Sequence, residues 1–245
     1  FAEGEKHHEE KVKVSRPLEK YEVRRVYSIV IISLLSVIFW IFWYLTYVIL
    51  YDYMPKFIDD KVGTFTVPTS WLDSLNGLGC IILGPILGAL WYKLSRRPQG
   101  DWSLYKKASI ALFLLGVTFG ILALTEIVRG VGAPETQKAS ILWVILFFIV
   151  MSVAEMFFSP LGASFVSKYA PKHILSIMMA VWIVATFGAA KGYSLVYELV
   201  AELPIVQVSL GIGGICVVVG LVVFIFEKKL ASLVELREGE TLVED

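Results

Sequence analysis

Charged residues are scarce in this 245-residue sequence. They make up 18% of the total, and the 22 basic side chains are balanced by 22 acidic ones. Without excess positive charge, binding of nucleic acid through a basic surface is not expected. Hydrophobic residues reach 57%, above the roughly 45–50% of a soluble domain. This composition argues against a disordered chain and against almost any soluble enzyme.

Residues that carry covalent or metal chemistry are also few. Cys80 and Cys216 are too few for a disulfide scaffold, and both lie in apolar runs where we expect buried thiols. The sequence has only three histidines, all in polar segments, and it has neither a glycine-rich phosphate loop nor a His/Cys set with metal-ligand spacing. We therefore predict no enzymatic activity, no cofactor and no metal site. Because the first residue is Phe1 rather than Met, we expect the chain to be part of a longer one.

Long apolar runs are abundant. The first run, Val26–Tyr51, carries no charge over 26 residues, and roughly 20 residues suffice for a helix to cross a bilayer. Strands are not expected because an isolated strand cannot satisfy its backbone in lipid. We predict an all-α integral membrane protein, a six-helix bundle in the lipid bilayer, between a polar linker (1–25) and a tail (227–245). The predicted spans cover about 26–51, 70–90, 108–128, 139–166, 174–200 and 205–226.

The basic residues predict the orientation of the bundle. If six spans alternate, 17 of the Lys and Arg side chains fall on one side and four on the other. Lys and Arg accumulate on the cytoplasmic side of membrane proteins. We therefore predict a multi-pass protein of the cell membrane with both termini in the cytoplasm. A six-span unit is typical of half of a larger transporter, so we expect a missing N-terminal six-helix half as its partner.

One acid lies deep within the fourth predicted span. Glu155 is about 24 Å and 16 Å from its two ends at 1.5 Å per residue, and burying an ionisable group there is costly. Ser152, Glu155, Ser159 and Gly162 are spaced to share one helix face. Pro160 should bend the helix beside the acid. The pattern indicates an anion facing a central cavity, with a structural glutamate as the alternative.

Other polar side chains within the spans are further candidates for the cavity. In the fifth span, Trp182 and Thr186 are one turn apart, and in the second span Asn76 lies on a face of small residues. Tyr44 and Tyr47, in the first span, can share a cavity-facing side. Packing is the alternative for each. Lys191 is nine residues after Trp182, on the opposite face of a straight helix. It could pair with an acid, including Glu155 or one of the missing half, or extend to the outer surface.

Three stretches resemble a known family in the same order. Residues 67–76 (VPTSWLDSLN) resemble "P-x-S-W-x-x-S-L-N-P" of the eighth helix of proton-dependent oligopeptide transporters, members of the major facilitator superfamily. Residues 154–162 (AEMFFSPLG) resemble "G-E-L-x-x-S-P-x-G" of the tenth helix, and residues 178–182 (MMAVW) resemble "M-M-G-x-W" of the eleventh. The resemblance covers about 26–226, the C-terminal half of that fold.

The resemblance implies a secondary transporter of di- and tripeptides, with alternating access around a midplane cavity. It implies that Glu155 receives the peptide's α-amino group, while Asn76 and Trp182 shape the pocket. Tyr44 stands where the family's "F-W-x-x-x-E-Q" pattern has a carboxylate, so we expect proton coupling to be weak or to use another acid. A carrier of another solute and a non-transporting docking or receptor module are the alternative functions.

Overall fold

The computed structural model describes residues 16–98 and 100–234, apart from the side chains of Leu72 and Asp73. Most of residues 1–25 and 227–245, which the sequence assigns to a linker and a tail, lie outside these ranges. Six segments are long and apolar enough to cross a membrane, which agrees with the predicted six-helix bundle. Their bounds are Lys20–Phe57, Ser74–Ser95, Leu104–Arg129, Leu142–Tyr169, Lys172–Val200 and Ile205–Ile225.

Within the described residues, the bundle has eight α-helices. They are α1 (Lys20–Phe57), α2 (Trp71–Ser95), α3 (Leu104–Arg129), α4 (Leu142–Phe158), α5 (Gly162–Tyr169), α6 (Leu175–Val200), α7 (Ile205–Ile225) and α8 (Glu227–Ala231). Single 3₁₀ turns, Lys172–Ile174 and Ser232–Val234, precede α6 and follow α8. Four two-residue strands lie between the helices. Strand β1 (Ile58–Asp59) pairs in parallel with β4 (Ala139–Ser140), and β2 (Lys61–Val62) pairs antiparallel with β3 (Phe65–Thr66).

The first helix begins earlier than the sequence indicates. Residues 20–25, assigned to the polar linker, form the first turns of α1, and Glu22 and Arg25 are buried there. Glu22 accepts a hydrogen bond from Arg16 over 2.6 Å, and its other oxygen caps the backbone amide of Glu19 over 2.9 Å. These contacts satisfy the charge and one free N–H at the helix start, so a charged segment can be helical.

The fourth predicted span is not a single helix. Helix α4 ends at Phe158, and the segment continues as α5 from Gly162. Pro160 has no N–H to donate and its ring clashes with the preceding turn, which is the physical reason for the expected bend. The interruption corrects the predicted continuous helix, and it places Ser159 in the connection rather than on the face of α4.

The core lies around α3, which packs against α7 on one side and α4 on the other. Small residues allow the close approach of α3 and α7: a Cβ on Gly116 would lie 2.8 Å from Val217 Cγ2 and 3.0 Å from the Gly213 carbonyl oxygen. By contrast, α6 packs mainly on α1, and α2 packs mainly on α4. Both α2 and α6 remain mostly exposed within this chain and are available to lipid or to another bundle.

Candidate functional site

Glu155 is held by a side chain from a neighbouring helix. Asn76 Nδ2, on α2, donates a hydrogen bond to Glu155 Oε2 over 2.9 Å. Asn76 Oδ1 in turn accepts a hydrogen bond from Ser152 Oγ on α4 over 2.7 Å. Ser152 and Asn76 are buried, whereas Glu155 retains intermediate exposure. The three side chains form a polar cluster, Ser152–Asn76–Glu155, midway along the fourth membrane-spanning segment.

Two further residues adjoin the carboxylate. Cys80, one turn beyond Asn76 on α2, is a free thiol beside Glu155. Trp43, on α1, brings its indole near the same carboxylate, and its Nε1 is buried without a hydrogen bond of ordinary geometry. Cys80 is only partly buried, unlike the fully buried Cys216. Three helices, α1, α2 and α4, therefore meet at Glu155, which keeps intermediate exposure.

Trp182 lies against the break that follows α4. A Cβ built on Gly162 would be 1.7 Å from Cζ2 of the Trp182 ring, so the indole packs directly on the backbone of α5. No hydrogen bond joins Trp182 to Glu155 within residues 16–98 and 100–234. Thr186 donates its hydroxyl to the Trp182 carbonyl over 3.0 Å, which places this hydroxyl in a bond to its own helix.

The two tyrosines of α1 lie in an aromatic cluster. Tyr44 packs on Tyr193 of α6 with ring centroids 5.5 Å apart. Tyr47 packs on Trp43 at 4.9 Å and on Phe148 of α4 at 5.8 Å. Trp43 thus links the tyrosines to Glu155, although the sequence did not single it out. Its signal was its place among the aromatic residues 39–47, which did not distinguish it from its neighbours.

Ser159 and Lys191 also lie apart from the polar cluster. Ser159 is exposed, and its backbone amide donates to the backbone carbonyl of Glu155 over 2.7 Å, a helical hydrogen bond that does not involve the carboxylate. Lys191 is exposed on α6, and its ammonium has no hydrogen bond or ion pair in the described part of the chain. Among residues 16–98 and 100–234, Lys191 therefore forms no ion pair with Glu155.

A second polar network, which the sequence analysis missed, lies where α1 and α3 end. Glu126 accepts hydrogen bonds from Arg129 Nη2 over 2.7 Å and from Tyr53 over 2.6 Å, and all three side chains are buried. Arg129 also donates to the Ala133 carbonyl over 2.9 Å. The three-residue spacing of Glu126 and Arg129 was the available signal. A cavity of about 490 Å³ adjoins this network but does not include Glu155. Because its charges neutralise one another, we interpret the network as structural.

Comparisons with known proteins agree with the membrane-bundle architecture. The family PTR2, described as the POT family, matches residues 3–210. The di-/tripeptide transporter of Lactococcus lactis subsp. cremoris is 31% identical over 173 residues, which cover 69% of this chain and 33% of that protein.

Two solved structures share the fold. A peptide transporter POT in complex with sulfate superposes with a TM-score of 0.79 at 23% identity, covering 91% of this chain and 44% of its own. A POT family transporter in complex with 5-aminolevulinic acid gives a TM-score of 0.78 at 23% identity, covering 89% and 44%. The chain thus spans less than half the length of each of these proteins.

Proposed function

Because the chain belongs to the POT family, a family of membrane transporters, we propose that it forms the C-terminal half of a secondary carrier for di- and tripeptides. The named relative from Lactococcus lactis supports this substrate class, since it is a di-/tripeptide transporter. The share of about 44% that the chain covers in the solved structures supports the assignment to one half. The remaining wall of the transport cavity would then come from a second six-helix bundle.

The observation that carries the proposal is the half-buried Glu155 carboxylate in the middle of its membrane-spanning segment. A carboxylate at that depth is costly unless it is paired or faces water. Asn76 supplies one hydrogen bond to Oε2 and adds no positive charge. The site is therefore suited to a cationic partner, and the α-amino group of a peptide offers one positive charge and up to three N–H donors.

The weakly packed helices α2 and α6 fit the same proposal. Each has most of its apolar surface exposed within this chain, as helices that face a second bundle or lipid require. Rocking of two such bundles about a midplane site exposes the site to each side of the membrane in turn. The distribution of Lys and Arg supports cytoplasmic termini and insertion in the plasma or inner membrane.

The source of energy for transport is proposed to be a proton gradient, with no cofactor. At Tyr44, where the family pattern has a carboxylate, this chain has a phenol that packs on Tyr193. Coupling would then use Glu155 or an acid outside this chain. Strong pH-gradient-driven uptake that survives loss of the Glu155 carboxylate would assign coupling to another acid.

The test is substitution of Glu155 in the carrier that contains this chain. Glu155→Gln keeps size and one hydrogen-bond acceptor but removes the charge, so we expect loss of saturable uptake of a radiolabelled dipeptide at unchanged membrane expression. Glu198→Gln is the matched control, because Glu198 is exposed near the end of α6. Undiminished uptake by the Glu155 variant would contradict the proposed site.

A carrier of another small amine is the second candidate. A POT family transporter has been solved in complex with 5-aminolevulinic acid, a compound with an amine and a carboxylate but no peptide bond. A lone carboxylate at Glu155 recognises the amine and does not itself require a peptide bond. Competition of dipeptide uptake by amino acids and by 5-aminolevulinic acid distinguishes the two candidates, since a peptide carrier should respond mainly to peptides.

A further inference from the structure

Ser152 and Glu155 bind the two ends of the Asn76 side-chain amide. The Ser152 hydroxyl donates to Asn76 Oδ1 over 2.7 Å, while Asn76 Nδ2 donates to Glu155 Oε2 over 2.9 Å. Ser152 and Glu155 lie one turn apart on α4, so a single helix holds both ends of an amide that belongs to α2. Ser152 itself has no exposed surface, and Asn76 is 7% exposed.

The chemistry of the amide makes its orientation matter. An asparagine oxygen only accepts hydrogen bonds and its nitrogen only donates them. If the amide were reversed, Oδ1 would face a carboxylate oxygen, and two acceptors would oppose each other. A hydroxyl donor on the other side favours the observed orientation, because a buried carbonyl oxygen without a donor is costly.

The packing of α2 on α4 leaves space for this serine. A Cβ on Gly79 would lie 2.6 Å from Ser152 Oγ and 2.9 Å from Ser152 Cβ, closer than real contacts allow. Gly79 is one turn after Asn76 on the same helix. Its missing side chain therefore leaves the space in which the Ser152 hydroxyl reaches the amide.

We propose that Ser152 is a positioning residue for the amine-binding carboxylate. By donating to Oδ1, it keeps Nδ2 of Asn76 directed at Glu155 and so fixes the carboxylate for the substrate's amino group. The substrate part of this inference rests on the proposed function, whereas the hydrogen-bond arrangement does not. Two measurements therefore test it, one without substrate and one with it.

The first measurement uses the fact that Asn76 is the only asparagine in the sequence. The 245-residue chain, prepared with ¹⁵N-labelled asparagine in lipid nanodiscs, should give one narrow pair of side-chain amide NMR signals. In Ser152→Ala, which removes the donor, the pair should move and broaden as the amide loses its fixed orientation. Ser152→Cys should behave like the alanine variant, since a thiol of similar shape is a weak donor.

The matched control is Ser209→Ala on α7. Ser209 is fully buried, and its hydroxyl has no hydrogen-bond partner among residues 16–98 and 100–234, so this variant should keep the wild-type amide signals. If Ser152 acted only by filling space, the cysteine variant would also keep them, and the proposal would be overturned. Wild-type signals in Ser152→Ala would overturn it as well.

Failure to fold is also informative. If the alanine and cysteine variants do not fold, Ser152→Thr decides, because threonine retains the hydroxyl donor. A folded threonine variant with wild-type amide signals supports the proposal. Loss of fold in all three variants assigns Ser152 a packing role and overturns it.

The second measurement is dipeptide uptake by the carrier that contains this chain. Ser152→Ala and Ser152→Cys should raise KM by about tenfold, the equivalent of one lost buried hydrogen bond, with a much smaller change in Vmax. An unchanged KM, or an equal loss of Vmax in all variants, contradicts a positioning role. If the wild-type carrier transports no dipeptide, the proposed function fails while the NMR result still decides the arrangement.

Discussion

The contact between Gly162 and Trp182 gives a sharp prediction about the break between α4 and α5. In Gly162→Ala, the new methyl carbon would lie 1.7, 2.0 and 2.5 Å from three carbons of the indole ring. Carbon atoms pack at about 3.5–4.0 Å, so the ring or the helix has to move by about 2 Å. We expect the variant to lose about 1–3 kcal/mol of stability, the usual cost of overpacking.

The assay is thermal unfolding of the chain in lipid nanodiscs, with Gly188→Ala as a matched control. Apart from its chain neighbours and the local backbone of its own helix, no atom lies within 4 Å of the Cβ position at Gly188, and alanine is a better helix former by about 1 kcal/mol. The control should therefore be as stable as the wild type or more so. The two alanine substitutions have the same chemistry and opposite expected signs.

A second substitution at Trp182 identifies the clash as the cause. Trp182→Phe removes the fused ring that carries the three close carbons, so the double variant with Gly162→Ala should regain most of the stability lost by Gly162→Ala alone. Additive losses in the double variant, or a Gly162→Ala variant as stable as the wild type, would refute the proposed close packing of α5 on α6.

Three further substitutions test other parts of the structure. Gly79→Ala should raise the KM for dipeptide by about tenfold, the equivalent of one lost hydrogen bond, because it displaces the serine that orients the amide. Gly77→Ala should leave the KM unchanged, because no atom beyond its chain neighbours and the local backbone of its own helix lies within 4 Å of the new Cβ. Arg129→Met should cost about 3–5 kcal/mol in thermal unfolding by leaving a buried carboxylate unpaired. Lys56→Met, which breaks an exposed pair, should change the unfolding temperature far less, because solvent screens that pair. Lys191→Met should leave the stability of the chain within about 0.5 kcal/mol, and a larger loss would reveal a partner inside this bundle.

Much of the architecture was predictable because the membrane restricts it. Long uncharged runs can only be helices in lipid, and the structure confirms the six spans. Pro160 predicted a bend from its own covalent structure, and the helix does end just before it. The early start of α1 was not predictable in this way, since buried Glu22 depends on Arg16 and on the local cap rather than on hydropathy.

The candidate site was predictable only in part. The cost of a charge in lipid singled out Glu155 from its position alone. Helical periodicity also predicted that Ser159 shares the helix face of Glu155, whereas Ser159 lies in the connection after α4. Lys191 could be recognised as unusual but not assigned a partner, because a sequence does not state which helices are neighbours.

The sequence by itself therefore determined which segments are long and apolar enough to cross a membrane and which acid lies deep within one of them, since both follow from the cost of polar groups in lipid. Only the tertiary structure decided that Asn76 holds that acid and that Ser152 holds Asn76, although both residues are visible in the sequence. The Ser152–Asn76 hydrogen bond joins two residues separated by 76 positions in the sequence, and the Asn76–Glu155 bond joins two separated by 79 positions. Such pairs depend on helix packing at distances of a few ångströms, which composition and periodicity along one helix do not specify.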